Sequence, residues 1–477
     1  MIWERNIDNY KFIEKFSFLA AARIVLEVLQ AVFLISLARK SVLAYGNLML
    51  ALGIGVILSL IADFGLNQLL VLRLNVRDNA EGRILTNITA VKSVFFVVGW
   101  LGAAGFACWQ GYDPILKTAV LVMGVGFGMQ SLANSFFVAL QVNGRQDMEA
   151  GIRAIAAILG FGFGIGAVFF NASLRAVACF KVIEGFACCI LAVGAVLKLA
   201  PIRVAPLRLK ELLKTVQGGV VFALITVAQI LNDKINLLFL KQYGGSREVA
   251  QYSAAWQLVE GAALLMVGLL LRSILFPVFA RLWKKDSAEA VRVAQNTLLW
   301  LLLVSLPIMF VLYVESDRII QLVYGSEYKE AIWIQKCLAG TVILNFLQFM
   351  GAYMMFSMGK ARLLLVFYTS VLAVNFMWCA LALPRAPITG ALGAMIVSKA
   401  LIAAMVLTYC QIKIRVIPVR ACVRLFLAGA AGIWAFIFFG CFASREIAEA
   451  AALLPVFGLA WIWKKNGFPG WLQKTGI

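Results

Sequence analysis

The sequence predicts an all-α membrane protein of about fourteen spans, and three observations lead there. Of its 477 residues, 63% are hydrophobic and only 14% charged, whereas a soluble domain carries about 25% charged residues. Mean hydropathy is +0.92. The apolar residues gather into runs of about 20, the length that crosses hydrocarbon as a helix. So little charge cannot cover a water-facing surface, which excludes a secreted enzyme, a disordered scaffold and a soluble nucleic-acid binder.

In chain order the runs fall at 16–38, 45–71, 84–107, 115–140, 150–170, 174–198, 216–240, 250–278, 294–314, 331–356, 362–383, 388–410, 420–442 and 447–464. They are too long and too uniformly apolar for barrel strands, so each reads as a helix that satisfies its own backbone in lipid. The first run is long enough to span, so no cleavable signal peptide is expected. The net charge is +20. The basic residues concentrate in alternate connections, which sets topology rather than marking a nucleic-acid partner. Both termini are therefore expected in the cytoplasm. The richest connection holds Arg203, Arg208, Lys210 and Lys214 and reads as a linker between two bundles. The outer loop from Glu315 to Glu330 has room for a turn or a short interfacial helix, not for a catalytic domain.

The halves echo each other. Val42-Leu43-Ala44-Tyr45 answers Val249-Ala250-Gln251-Tyr252, Asn143-Gly144-Arg145 answers Met358-Gly359-Lys360, and Lys181 answers Lys399. Six spans separate the copies, so both have the same orientation, the parallel repeat of many transporters. The expected organisation is a six-helix lobe over 1–205, a second over 206–415, and two additional spans over 416–477.

Histidine is absent and the cysteines form no Cys-x-x-Cys pair, so no metal site is expected. No phosphate-binding loop with its lysine is present, so the chain carries no ATPase. Gly160, Gly162, Gly164 and Gly166, like Gly124 and Gly128, form Gly-xxx-Gly pairs that let helices approach closely.

The informative residues are polar groups inside the apolar runs, costly unless they meet a partner or a watery cavity. Span one holds Arg23, Glu27 and Gln30 on one face; span two holds Ser59, Asp63 and Asn67. Span three holds Lys92, span four Asn134 and Gln141, and span six Lys181 and Glu184. Span seven has Asn232, Asp233 and Asn236 on one stripe beside Lys234; span eight has Glu260 and Arg272. Pairing within one helix accounts for Arg23 with Glu27 and Lys181 with Glu184, and Lys336 and Arg272 can snorkel from span ends. A hydrated central cavity accounts for the set together. Among these residues cations outnumber carboxylates, which suits a visiting anion. Arg23, Lys92, Lys181 and Lys399 are the first candidates to contact it, with Lys234 and Arg272 behind them. Gln30, Asn134, Asn232 and Asn236 supply donors and acceptors for hydroxyls. Asp233, Glu27 and Glu260 are candidates for coupling to an H⁺ or Na⁺ gradient.

Asp63-Phe64-Gly65-Leu66-Asn67, followed by Arg73, together with Tyr252 to Glu260 and Leu275-Phe276-Pro277-Val278-Phe279-Ala280-Arg281, resembles the polysaccharide flippase family of the MOP exporter superfamily, over residues 10 to 415. The resemblance implies two MATE-like lobes that rock between inward- and outward-open states. It implies a cargo of undecaprenyl-pyrophosphate-linked oligosaccharide, moved between leaflets of the bacterial inner membrane, with glycan polymerase and assembly proteins as partners. It implies no cofactor beyond an ion gradient and no covalent chemistry. Many members have twelve spans; the related lipid II flippases have fourteen, so that branch and the multidrug exporters stay open. A membrane glycan polymerase or ligase would need a large outer loop, which this chain lacks.

Overall fold

Ser41 separates the first two described helices. Its hydroxyl accepts the Ala44 amide at 3.2 Å, satisfying one of the amides that a helix start leaves open. In this computed structural model, the described residues are 24–67, 70, 81–199, 209–266, 279, 282–283 and 285–465. They form helices with no strand among the described residues. In order these are α1 (24–40), α2 (Val42–Asp63), α3 (Glu81–Trp109), α4 (Pro114–Val142), α5 (Gln146–Phe169), α6 (Leu174–Leu199), α7 (Leu209–Tyr243) and α8 (Ser246–Met266). Then come α9 (Ser287–Val314), α10 (Ser316–Val323), α11 (Lys329–Ala339), α12 (Thr341–Ser357), α13 (Ala361–Ala382), α14 (Pro387–Ile414), α15 (Val419–Gly440) and α16 (Arg445–Lys465).

Among the described residues, 11 helices are long and apolar enough to cross a membrane, or 12 with the bent pair α11–α12 counted as one. The other two expected runs, 16–38 and 250–278, extend into residues outside the described ones; their described parts are helical. The expected lobe boundary at 205–206 also lies outside them.

Two spans differ from a simple run. Span ten breaks at Gly340, where α11 and α12 meet at 43°. Gly340 has no side chain to pack, and the Thr341 hydroxyl donates to the Leu338 carbonyl at 2.6 Å, so a polar side chain intrudes on the backbone ladder. Span two, expected to run through residue 71, ends its regular helix at Asp63. Phe64 (φ 34°) and Gly65 (φ 76°) are both left-handed, and the Phe64 N–H holds the last turn by donating to the Leu60 carbonyl. The Glu315–Glu330 loop contains α10 and a 3₁₀ turn at Ser326–Tyr328, matching the short helix expected there.

The chain divides into two compact units, Met1–Ala250 and Gln251–Ile477. In the first, α6 packs on α4 and α5, and α4 also meets α2 and α3. In the second, α14 packs on α12 and α13, and α12 meets α9. The repeat is thus visible as packing: the fourth, fifth and sixth spans associate as the tenth, eleventh and twelfth do. The connecting turn is shared as well. Gly144 has φ 70° and Gly359 φ 71°. Gly144 donates to Gln141 and Arg145 to Leu140, as Gly359 does to Phe356 and Lys360 to Met355.

Close approach follows the glycines. A side chain at Gly126 would strike the Lys181 carbonyl, and one at Gly185 the Gly126 carbonyl, so α4 and α6 cross backbone to backbone. Gly124 and Gly128 receive the rings of Trp100 and Phe96 from α3, and Gly160 and Gly164 lie against Phe180. Gly162 and Gly166 meet nothing within 4 Å, so only alternate members of the four-glycine run serve helix packing. The additional helices α15 and α16 pack on each other and on α9, around Leu299, Leu425 and Trp463.

Candidate functional site

Three lysines inside the spans, Lys92, Lys181 and Lys399, are buried, and each is neutralised in place. Lys92 on α3 is fully buried. Its ammonium lies 2.6 Å from Asp63 Oδ1 and donates to Asn67 Oδ1 at 2.6 Å and to the Ser131 carbonyl at 3.3 Å. The motif residues Asp63 to Leu66 therefore form a helix break whose carboxylate and following amide are tied to a neighbouring helix. Asp63 keeps 27% of its side chain exposed, so the cluster has one open side.

Lys181 pairs with Glu184 at 2.8 Å on the same helix, the i,i+3 pairing legible in the sequence, and sits over the Phe127 ring at 4.6 Å. Lys399 on α14 reaches Glu260 at 3.0 Å and Asn345 Oδ1 at 2.6 Å, while the Asn345 amide donates to Glu260 at 2.9 Å. All three are buried. This triangle closes on itself in the second unit. Lys181 and Lys399 occupy matching places in the repeat, but one finds its carboxylate on its own helix and the other on α8.

On α7, Asn232 and Asn236 are buried, with Asp233 and Lys234 half-buried beside them. Asn232 donates to the Ala228 carbonyl at 3.1 Å. Glu27 is exposed and Gln30 half-buried. Lys336 stands in the last turn of α11, 6.0 Å over the Tyr313 ring, a position suited to snorkelling. Arg23, Arg73 and Arg272 lie outside the described residues. Among the described residues no group of carboxylates and thiols is placed to hold a metal ion.

Two clusters are not assembled from the sequence, although Asn134 in the first is itself a candidate. In the first unit, Asn134 accepts from Arg153 Nη2 at 2.9 Å, and Arg153 Nε donates to Glu149 at 2.9 Å. Glu149 also accepts from Gln141 at 2.8 Å. The Glu149–Arg153 spacing was there to find, but Arg153 lies so near the start of span five that it reads as part of the basic turn. In the second unit, Arg445 opens α16 and binds Asp317 with both terminal nitrogens at 2.7 and 2.9 Å. It also meets Glu315 at 2.8 Å, Glu449 at 3.1 Å and the Val314 carbonyl. Arg318 pairs with Glu446 at 2.9 Å. The Arg445 hydrogen bonds hold the Asp317 carboxyl well below the usual carboxylate range, with the guanidinium charge adding to the effect. In the turn between α3 and α4, burial pushes the Tyr112 hydroxyl up to about 12.

Solved structures share this fold. A lipid II flippase, MurJ, in an inward closed conformation matches with a TM-score of 0.74 at 11% identity, covering 94% of this chain and 99% of that one. A multidrug resistance MATE family transporter of the MOP superfamily, inward-facing, matches with a TM-score of 0.61 at 13% identity, over 82% and 94%. A MOP superfamily transporter from Pyrococcus furiosus, described by the reverse polarity of its binding pocket, matches with a TM-score of 0.59 at 13% identity, over 84% and 94%. No curated protein matches the chain. The profile of the family described as polysaccharide biosynthesis protein matches residues 18–333. That stretch takes in the Asp63 helix break, all three helices of the Arg153 and Lys181 clusters, and Glu260. This multi-pass membrane chain belongs to the polysaccharide biosynthesis protein family.

Proposed function

We propose that the protein is a flippase that moves undecaprenyl-pyrophosphate-linked oligosaccharide from the inner to the outer leaflet of the bacterial inner membrane, with both termini in the cytoplasm. The observation that carries the reading is the set of lysine, carboxylate and amide clusters inside the spans of a polysaccharide biosynthesis family member. Sugar hydroxyls lose hydrogen bonds in hydrocarbon, at roughly several kcal/mol for a headgroup. Asn and Gln side chains replace those bonds, and ammonium or guanidinium groups meet the phosphates. The lipid tail stays in the bilayer, so no covalent step is needed. An H⁺ or Na⁺ gradient drives the cycle, with half-buried Asp233 as the first coupling candidate. Glu260, enclosed by Lys399 and Asn345, and exposed Glu27 rank behind it. Glycan polymerase and assembly proteins take the product on the outer face.

The test is a deletion strain. Loss of the protein is expected to abolish the surface glycan and accumulate lipid-linked oligosaccharide on the cytoplasmic leaflet; the wild-type gene restores both. Normal glycan in the deletion strain overturns the reading. The near-complete match to a lipid II flippase favours one second reading, with lipid II as cargo. In that case depletion arrests cell-wall growth.

A further inference from the structure

The duplicated halves provide an internal comparison for the Arg153 cluster. The turns at Gly144 and Gly359 carry the same hydrogen bonds, and the helix before each turn ends, and the helix after it begins, at the same offset. The register is therefore fixed across them. In that register Arg153 corresponds to Tyr368, Glu149 to Leu364, Gln141 to Phe356 and Asn134 to Phe349. Leu364 and Tyr368 are buried, and the Tyr368 hydroxyl accepts from Gln348 at 3.0 Å. The second unit thus packs the same helix pair with apolar and neutral side chains. The fold has no need of a charged cluster there.

The first unit nonetheless keeps one. The Arg153 guanidinium carbon lies over the buried Phe137 ring, 4.3 Å from its centroid. Nε and Nη2 are held by Glu149 and Asn134, and among the described residues Nη1 has no partner. Arg153 retains 30% exposure and Glu149 13%, and Gln141 is exposed. Arg153 stands about 10 Å along α5 from its start at Gln146, at 1.5 Å per residue. This places it in the half of the membrane nearest the cytoplasm in the topology set by the basic loops. A guanidinium held through two of its nitrogens, with the third open, suits a phosphate oxygen. The carboxylate and amides beside it suit sugar hydroxyls.

We infer that Arg153, Glu149, Gln141 and Asn134 form an entry site on the cytoplasmic side for the glycosyl phosphate of a lipid-linked saccharide. Phe137 backs the guanidinium, and Glu149 and Asn134 fix its direction. The inference rests on the flippase reading for its lipid-linked cargo. The chemistry of the site, a phosphate ester beside hydroxyls, is also that of a free sugar phosphate.

The experiment exchanges the cluster for its counterpart. The full chain carrying Glu149→Leu with Arg153→Tyr is placed in nanodiscs, and binding of farnesyl diphosphate and of inorganic pyrophosphate is measured. The wild type is expected to bind farnesyl diphosphate at least ten-fold tighter than pyrophosphate. The double variant is expected to reach the membrane and melt as the wild type does, yet bind farnesyl diphosphate at least ten-fold more weakly. Arg153→Lys, which keeps the charge and loses the fork, should fall between them. Unchanged binding in the double variant overturns the site, and so does a double variant that fails to fold, since the charges would then serve the fold. Equal affinity of the wild type for the two probes overturns the lipid-linked assignment in favour of a free phosphate. Complementation separates this from the flippase reading. Full glycan with the double variant removes the site and leaves the reading, whereas probe binding by a wild type whose deletion leaves glycan normal removes the reading and leaves the site.

Discussion

Removing the ammonium of Lys399 leaves Glu260 buried without its cation, the costly way to break an ion pair. Lys399→Met is expected to lose about 3–5 kcal/mol of stability, and adding Glu260→Met should recover most of it, because a matched apolar pair often equals a buried salt bridge. Thermal unfolding of the purified protein reads both. A single variant as stable as the wild type would mean that Glu260 finds another partner. The contrast with Lys92 is instructive. Asp63 is 27% exposed, so water can take over part of its solvation, and Lys92→Met is expected to cost less than Lys399→Met in the same assay. A transport test at Lys399 therefore needs the matched double variant, so that lost export is not lost protein.

At the scale of elements, the glycines separate contacts that look alike in sequence. Gly126→Ala drives a methyl group into the Lys181 backbone and is expected to destabilise by about 1–3 kcal/mol, as overpacking does. Gly162→Ala enters open space and should be neutral or stabilise by up to about 1 kcal/mol through helix propensity. Comparison of the two melting temperatures checks the α4–α6 crossing. The Arg445–Asp317 clasp fastens α16 to α10. Arg445 holds the Asp317 carboxyl low, so its stabilising contribution is fully present above the ordinary carboxylate value of about 3.9. It is lost only as pH falls through the lowered one. Asp317→Asn should melt below the wild type at neutral pH, with a gap that stays constant down to about pH 4 and closes in stronger acid. A gap that closes between pH 7 and 5 would assign the dependence to another group.

For the whole molecule, the distribution of lysine and arginine fixes the expected orientation. Reporter fusions after Arg208 and after Lys474 are expected to report cytoplasm, and one at Ser326 the opposite side. A cytoplasmic Ser326 would change the span count ahead of the stretch where the helices are shortest. The bend at Gly340 makes this stretch the sharpest test, because α11 is only 11 residues long and crosses only together with α12. The two units, Met1–Ala250 and Gln251–Ile477, share helix pairings and a turn while their buried charges differ. The two halves have this packing in common, and their polar residues differ.

What the sequence determined by itself is the part that lipid enforces locally. A backbone in hydrocarbon must satisfy its own hydrogen bonds, so apolar runs become helices. The repeat was legible for the same reason, since the Gly144 and Gly359 turns need a residue that accepts a left-handed conformation. Among the polar residues, Lys181 with Glu184 could be read because one helix turn brings them together. The tertiary structure alone decided that Lys92 meets Asn67 across 25 residues and Lys399 meets Glu260 across 139. It also decided that α2 stops at Asp63, that only alternate glycines of the α5 run are packed, and that Arg153 faces α4. The physical reason is common to these cases. In a membrane helix, the face toward lipid and the face toward protein are both apolar, so periodicity no longer tells which side has a neighbour. Only the packed helices do.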